Sequence, residues 1–406
     1  MVREKFPSET AESVSALAEL FLDHNLGKST NNFVRSECCY HLWRHSCAGS
    51  TTRAEIVKLG CLYKLVETVD KGDTSSCFHA LGCLVQFVES EDFKSLILSY
   101  TGVKLIRCLG DCLNKRSHPR TQVQSSRILI AIASNPETAG RLVPIVPKLV
   151  EALHISGPSW SKVYEICAQV ANCLRILAYA ESSGDPQYTL TGSSKKIRKD
   201  MVKRGAVQNC VELLKCNVEE VKVAVLATLH SLLTEPTCID ELRLLDSAVA
   251  SLSQALASPS IDAKAHSAGC LLALSQNKEH AREIGETRGA IKELVQMLST
   301  QQPRGKSKKK KKSKEKESLG VSGPALCLEN AAGLLLQLTV CEENTEEMVK
   351  ENSIPILVAF LKSKSLVVNQ ASTCILASMG LNDKYHPLLI EAQAPEYLYR
   401  KQADAD

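Results

Sequence analysis

Apolar side chains along the chain recur at three- and four-residue spacing, and strict alternation is rare, so the pattern predicts helices and not strands. The clearest stripes are CFHALGCLVQFV (77–88), VAVLATLHSLL (223–233), AHSAGCLLALS (265–275) and LENAAGLLLQLTV (328–340). A shorter phrase recurs between them. Its copies are KLGCLYKLVETV (58–69), YTGVKLIRCLGDCL (100–113), VPIVPKLVEAL (143–153), KRGAVQNCVELL (203–214), LDSAVASLSQAL (245–256), TRGAIKELVQML (287–298) and ENSIPILVAFL (351–361). Aligned on Gly60, Gly102, Pro144, Gly205, Ser247, Gly289 and Ser353, the copies lie 42, 42, 61, 42, 42 and 64 residues apart.

The two long spacings are one period plus an insertion. One insertion combines SGPSW (156–160) with the Gly- and Ser-rich run at 182–196; the other is the charged run at 301–324, closed by Gly-Pro. Each period reads as three helices: a short one, a tight turn, a middle one and a long third one. Glycine at the head takes the left-handed conformation that ends the short helix. Where Pro144 or Ser353 stands there, the turn must be built differently. A unit of about 42 residues buries only one face alone, so neighbours must stack, and the expected product is a right-handed α-solenoid.

Two stretches carry a family resemblance: ENAAGLLLQLTVCEENTEEMVKENSIPILVAFLKS (329–363) and HSAGCLLALSQNKEHAREIGETRGAIKELVQMLS (266–299). Their small-small-Gly third helix, polar loop, short helix and Gly-Ala-Ile-x-x-Leu-Val head resemble armadillo repeats of the β-catenin-like class. The resemblance covers roughly residues 50–380 and weakens around 137–182. It implies an all-α, right-handed α-solenoid of about eight three-helix armadillo repeats. These are placed at 9–49, 50–92, 93–136, 137–182, 199–237, 238–280, 281–343 and 344–384, with loop insertions at 183–198 and 301–324. Tails are expected at 1–8 and 385–406.

Composition sharpens this in three places. Of the 406 residues, 44% are apolar but only 4% aromatic, which suits close helix packing. The seventeen cysteines sit singly inside apolar helical stretches, as buried reduced thiols do. The formal charge of +4 hides a local concentration: residues 304–317 carry nine basic and two acidic side chains, a local +7, leaving −3 elsewhere. A uniformly basic nucleic-acid surface is therefore not expected. No apolar stretch approaches 18 residues, so no transmembrane segment is expected.

CCYHLWRHSC (38–47) packs three cysteines and two histidines into ten positions. It falls on the third helix of the first unit, where Cys38, His41 and His45 share one face and Cys39, Leu42 and Ser46 another. A zinc site needs four converging ligands. The expectation is an ordinary capping helix, with no metal and no cofactor.

In armadillo proteins, the resemblance implies, third helices line a groove that holds partner segments. Nuclear import adaptors place Trp and Asn four residues apart there. In this register the Trp positions hold Gly82, Ala227, Gly269 and Gly333, and the Asn positions hold Gln86, Ser231, Ala273 and Gln337. With that ladder missing, small residues should leave a wide, smooth trough suited to a laid-in helix. Candidate groove residues are His79, Gln86, Arg127, Asn172, Arg175, Lys222, His230, His266, Asn330 and Gln337. Their bland reading is the solvated side of amphipathic helices; if they bind, they favour an acidic or amphipathic segment. The basic loop (Lys306, Lys308, Lys309, Lys310, Lys311, Lys312, Lys314 and Lys316) reads as a solvated insertion, a nuclear localisation signal, or a contact for acidic tails, nucleic acid or membrane. It has no interleaved aromatics, so specific nucleic-acid recognition is not expected.

Phosphate-loop, serine-elbow and zincin motifs are absent, and the expectation is a non-enzyme. The leading reading is a protein–protein interaction scaffold, a monomer or member of a hetero-complex, cytoplasmic with cytoskeletal, ciliary or nuclear variants. An armadillo-type regulator or exchange factor for a GTPase or chaperone is the alternative, and a nuclear transport adaptor a further one.

Overall fold

A computed structural model describes residues 11–23, 32–99, 103–114, 117–154, 161–179, 193–301 and 323–403, and every regular element among them is a helix. The chain divides into two compact units, 1–206 and 207–406.

The first unit opens with Ala11–Leu22 and Asn32–Ala48. Two complete triplets follow: Ser50–Lys58, Cys61–Lys71, Thr74–Val88, then Glu91–Ser99, Val103–Cys112, Pro119–Ala133. In the next repeat the short helix is Pro136–Ala139 extended by a 3-10 turn, Gly140–Ile145, before Val146–Ala152 and Ser161–Tyr179. Ser193–Lys203 closes the unit. The long helices pack in series, Asn32–Ala48 on Thr74–Val88 on Pro119–Ala133 on Ser161–Tyr179. In the second unit Glu219–Leu232, Ile261–Leu274, Gly323–Leu338 and Leu366–Met379 form the same kind of row. Each is an α-solenoid of three-helix repeats.

The head turns follow their sequence signal where glycine stands. Gly60, Gly205 and Gly289 have φ of 76°, 83° and 84°, so a side chain there would be strained whatever the space. Gly102 lies outside the described residues. The Pro144 turn is built by the 3-10 segment, and Ser247 has an ordinary φ of −88°. At the last head the left-handed residue is Asn352, one place before Ser353. Asparagine tolerates this region because its short polar side chain bonds locally.

Two segments differ from their expected structure. The insertion at 183–198 was expected as a loop, yet residues 193–203 are helical. Ile197, Met201 and Val202 are buried and recur at helical spacing, which outweighs the local charge. The segment expected as a tail carries the helices His386–Glu391 and Ala394–Ala403, joined through left-handed Gln393. That is the opening phrase of a further repeat.

Aliphatic side chains and cysteines fill the core. Burial pushes the Cys38 and Cys173 thiols up to about 12, so they pack as neutral groups. Cys47 and Cys374 are exposed, against the expectation of uniformly buried thiols. A small polar side chain recurs at one repeat position: Ser125 donates to the Leu109 carbonyl at 2.7 Å and Ser267 to that of Leu252 at 2.5 Å, and the Cys167 thiol reaches the Ala152 carbonyl at 3.9 Å. Each ties the long helix to late carbonyls of the middle helix, some of which lack helical partners.

No atom would lie within 4 Å of a Cβ at Gly289, so Gly289→Ala isolates backbone strain. It should lower stability by about 1–2 kcal/mol, read as a lower urea midpoint; an unchanged midpoint means the left-handed turn is not a constraint.

Candidate functional site

A long third helix packs one face on its own middle helix and two flanks on neighbouring long helices. The remaining stripe is the one that a partner could reach. All ten candidate groove residues lie on long helices, and all are half-buried except Asn330, which is buried.

In the first unit the stripe is not the smooth trough expected. The Trp43 ring of the first repeat lies on Gly82 of the second, so that a Cβ at Gly82 would come within 2.7 Å of the indole. Gly82 is thus a seat for a neighbour's side chain. Trp43 meets Phe78 edge-on, with ring centroids 5.4 Å apart, and Tyr40 meets His79 at 5.3 Å. His79 Nδ1 lies 3.1 Å from both the Ser36 hydroxyl and the Ser36 carbonyl, which makes it a tie between repeats. Phe33 and Tyr40, 59% and 37% exposed, continue this aromatic surface.

Further along, Arg127 is held between Glu89 at 3.9 Å and Glu165 at 3.7 Å, from the repeats on either side. It is therefore not an unpaired cation waiting for an acidic segment. Arg175 Nε donates to Asn172 Oδ1 at 3.4 Å. Gln86, on the same row, is half-buried.

In the second unit His230 Nδ1 and His266 Nδ1 lie 3.1 Å apart, one donating to the other. Gly269 makes room for this pair, since a Cβ there would come within 2.5 Å of His230 Nε2 and 2.8 Å of Asn330 Nδ2. Asn330 Nδ2 donates to the Ala265 carbonyl at 2.8 Å, binding one repeat to the previous one. At Gly333 the space is taken by Leu272. Lys222 and Gln337 stay half-buried on the stripe. The expected open floor is filled here as well, because close-packed helices leave no void beside a glycine.

The cysteine- and histidine-rich decapeptide is dispersed by its helix. Cys38, Cys39 and His45 point into the core, His41 lies 3.9 Å from Glu37, and Cys47 is exposed. Among the described residues no three His, Cys, Asp or Glu side chains form a metal cluster. The lysines at 306, 308–312, 314 and 316 lie outside the described residues.

Sequence reasoning missed the Tyr40, Trp43, Phe78 surface, although its aromatics stood in plain view beside the cysteines that drew attention. It also missed Cys77 and Cys112, whose sulfurs are 3.9 Å apart. No local signal joins residues 35 positions apart.

No protein-family model and no curated protein matches the chain. Solved structures do. A structure from work on a phosphorylation switch in the interaction between cadherin and β-catenin is 16% identical, with a TM-score of 0.68 over 94% of this chain and 64% of that one. An engineered protein is 18% identical, with a TM-score of 0.58 over 95% and 93%. A designed armadillo repeat protein also matches, at 17% identity and a TM-score of 0.46 over 66% and 98%. The fold is an armadillo-like solenoid. At these identities the likeness carries the fold and leaves function open. No described helix is long and apolar enough to cross a membrane.

Burial holds the His230 pKa below its ordinary 6.5. A depressed histidine binds fewer protons folded than unfolded, so its contribution to stability is complete above the unfolded value and is lost as pH falls below it. His230→Gln should therefore flatten the decline in melting temperature as pH falls below about 6.5. An unchanged slope would assign that decline to other groups.

Proposed function

We propose that the chain is a non-catalytic scaffold that holds partner protein segments along its long helices. The observation that carries this reading is the half-exposed stripe of Tyr40, Trp43, Phe78, Gln86, Asn172 and Arg175 in the first unit, a surface of aromatic anchors followed by polar groups. Aromatic and Arg side chains of this kind are the ones that dominate binding energy at protein interfaces. The matched structure concerned with cadherin and β-catenin supports a protein partner for this fold. Because Arg127 is already paired with two glutamates, the favoured partner is a helical segment anchored by apolar side chains, with acidity secondary. Free thiols throughout the chain suit the cytoplasm, where a cytoskeletal or ciliary assembly is the first place to look for that partner.

The test is affinity capture from native cells at low and high salt. It compares the intact chain, a deletion of 305–317, and a variant carrying Tyr40→Glu, Gln86→Arg and Arg175→Glu, with helicity checked by circular dichroism. The stripe variant should lose a stoichiometric partner that the deletion retains. Capture that survives the stripe changes and disappears with the deletion would transfer the function to the lysine run.

A further inference from the structure

Cys77 stands near the start of Thr74–Val88, the long helix of the second repeat, and Cys112 ends Val103–Cys112, the middle helix of the third. Their sulfurs lie 3.9 Å apart, a contact in which one thiol can donate to the other. The hydrogen bond from Cys112 holds the Cys77 pKa below its ordinary 9.0, against burial and the Asp73 carboxylate, while Cys112 is pushed well above it. Cys77 is thus the readier thiolate and Cys112 the donor. Neighbouring thiols behave differently. Burial pushes Cys83, on the same helix as Cys77, up to about 12. Cys108, one turn before Cys112, is half-exposed too, but it donates to Asp70 Oδ1 at 3.2 Å, and burial together with that carboxylate pushes it up to about 12. The pair itself meets solvent, since Cys112 is half-exposed and Cys77 retains 9% of its surface.

We propose that Cys77 and Cys112 form an oxidative modification site, at which hydrogen peroxide creates a reversible disulfide between the second and third repeats. A disulfide is about 2.05 Å long, so the sulfurs must close by roughly 2 Å. Cys112 stands on the last turn of its helix, the part that frays most easily. In the first step the Cys77 thiolate attacks one peroxide oxygen: an S–O bond forms, the O–O bond breaks, and the departing hydroxide takes the Cys112 proton and becomes water. Cys77 is then a sulfenic acid. The Cys112 thiolate attacks the Cys77 sulfur, the S–S bond forms, the S–O bond breaks, and the hydroxide released takes up the proton that Cys77 had given to solvent. The two thiols lose two electrons and two protons, and the peroxide is reduced to two waters. A structural zinc ion would need further ligands, and among the described residues no three His, Cys, Asp or Glu side chains group together. A transient disulfide of this kind is the sort that reducing compartments allow. The site does not depend on the scaffold reading.

The experiment treats the reduced full chain with equimolar hydrogen peroxide, blocks the remaining thiols with N-ethylmaleimide, and maps tryptic peptides by mass spectrometry without reductant. Peptides 72–94 and 108–115 should appear as one cross-linked species, lighter than the two separate peptides by two hydrogen atoms, and dithiothreitol should part them. The cross-link should persist in Cys83→Ser and Cys108→Ser and be lost in Cys77→Ser and Cys112→Ser, with circular dichroism confirming that the variants are folded. The proposal is overturned if Cys77 and Cys112 stay reduced while the exposed Cys47 and Cys374 oxidise, or if either proceeds to sulfinic acid without a cross-link. It is equally overturned if the cross-link survives Cys112→Ser by way of Cys108, or if it joins two chains and runs as a dimer on a non-reducing gel.

Discussion

The constraint on which the structure depends is that no repeat can cover its own long helix. A three-helix unit of this length has one buried side and two flanks that become core only when the next repeat arrives. The flanks must therefore approach closely, and the residues at closest approach are chosen in pairs across repeats: Trp43 with Gly82, His230 with Gly269, Leu272 with Gly333. Large meets small, as dense packing requires. The serine and cysteine ties at 125, 167 and 267 fasten long helix to middle helix within a repeat, while Asn330 fastens one repeat to the previous one.

This pairing also decides what is left for function. A glycine on a helix drawn alone looks like open floor, but a neighbour's side chain occupies it. An arginine read alone looks like a binding cation, but Arg127 is bracketed by carboxylates from both neighbours. Such exposed pairs add little stability, about 0–1 kcal/mol. Their effect is on recognition, because they remove charge from the surface a partner sees. What remains on the stripe is more aromatic and less cationic than a list of its polar residues implies.

The period, the three-helix unit and the left-handed turns were legible because they depend on residues near one another in sequence: Gly60, Gly205 and Gly289 sit where the repeats place them. The same local logic failed at 193–198, where exposed Lys195 and Lys196 masked the buried Ile197 and the first turns of the helix Ser193–Lys203 read as an insertion. It failed again beyond residue 385, where the head glycine is replaced by Gln393 and the repeat signal fades.

By itself, then, the sequence determined the fold class and the positions of its turns, since hydrophobic period and backbone permissiveness are properties of a short window. Which side chains face a partner was decided only by the tertiary structure. The His230–His266 pair, the Trp43 seat and the bracketed Arg127 each join residues from adjacent repeats. Their contact depends on how one helix docks on another, and no spacing along the chain encodes that.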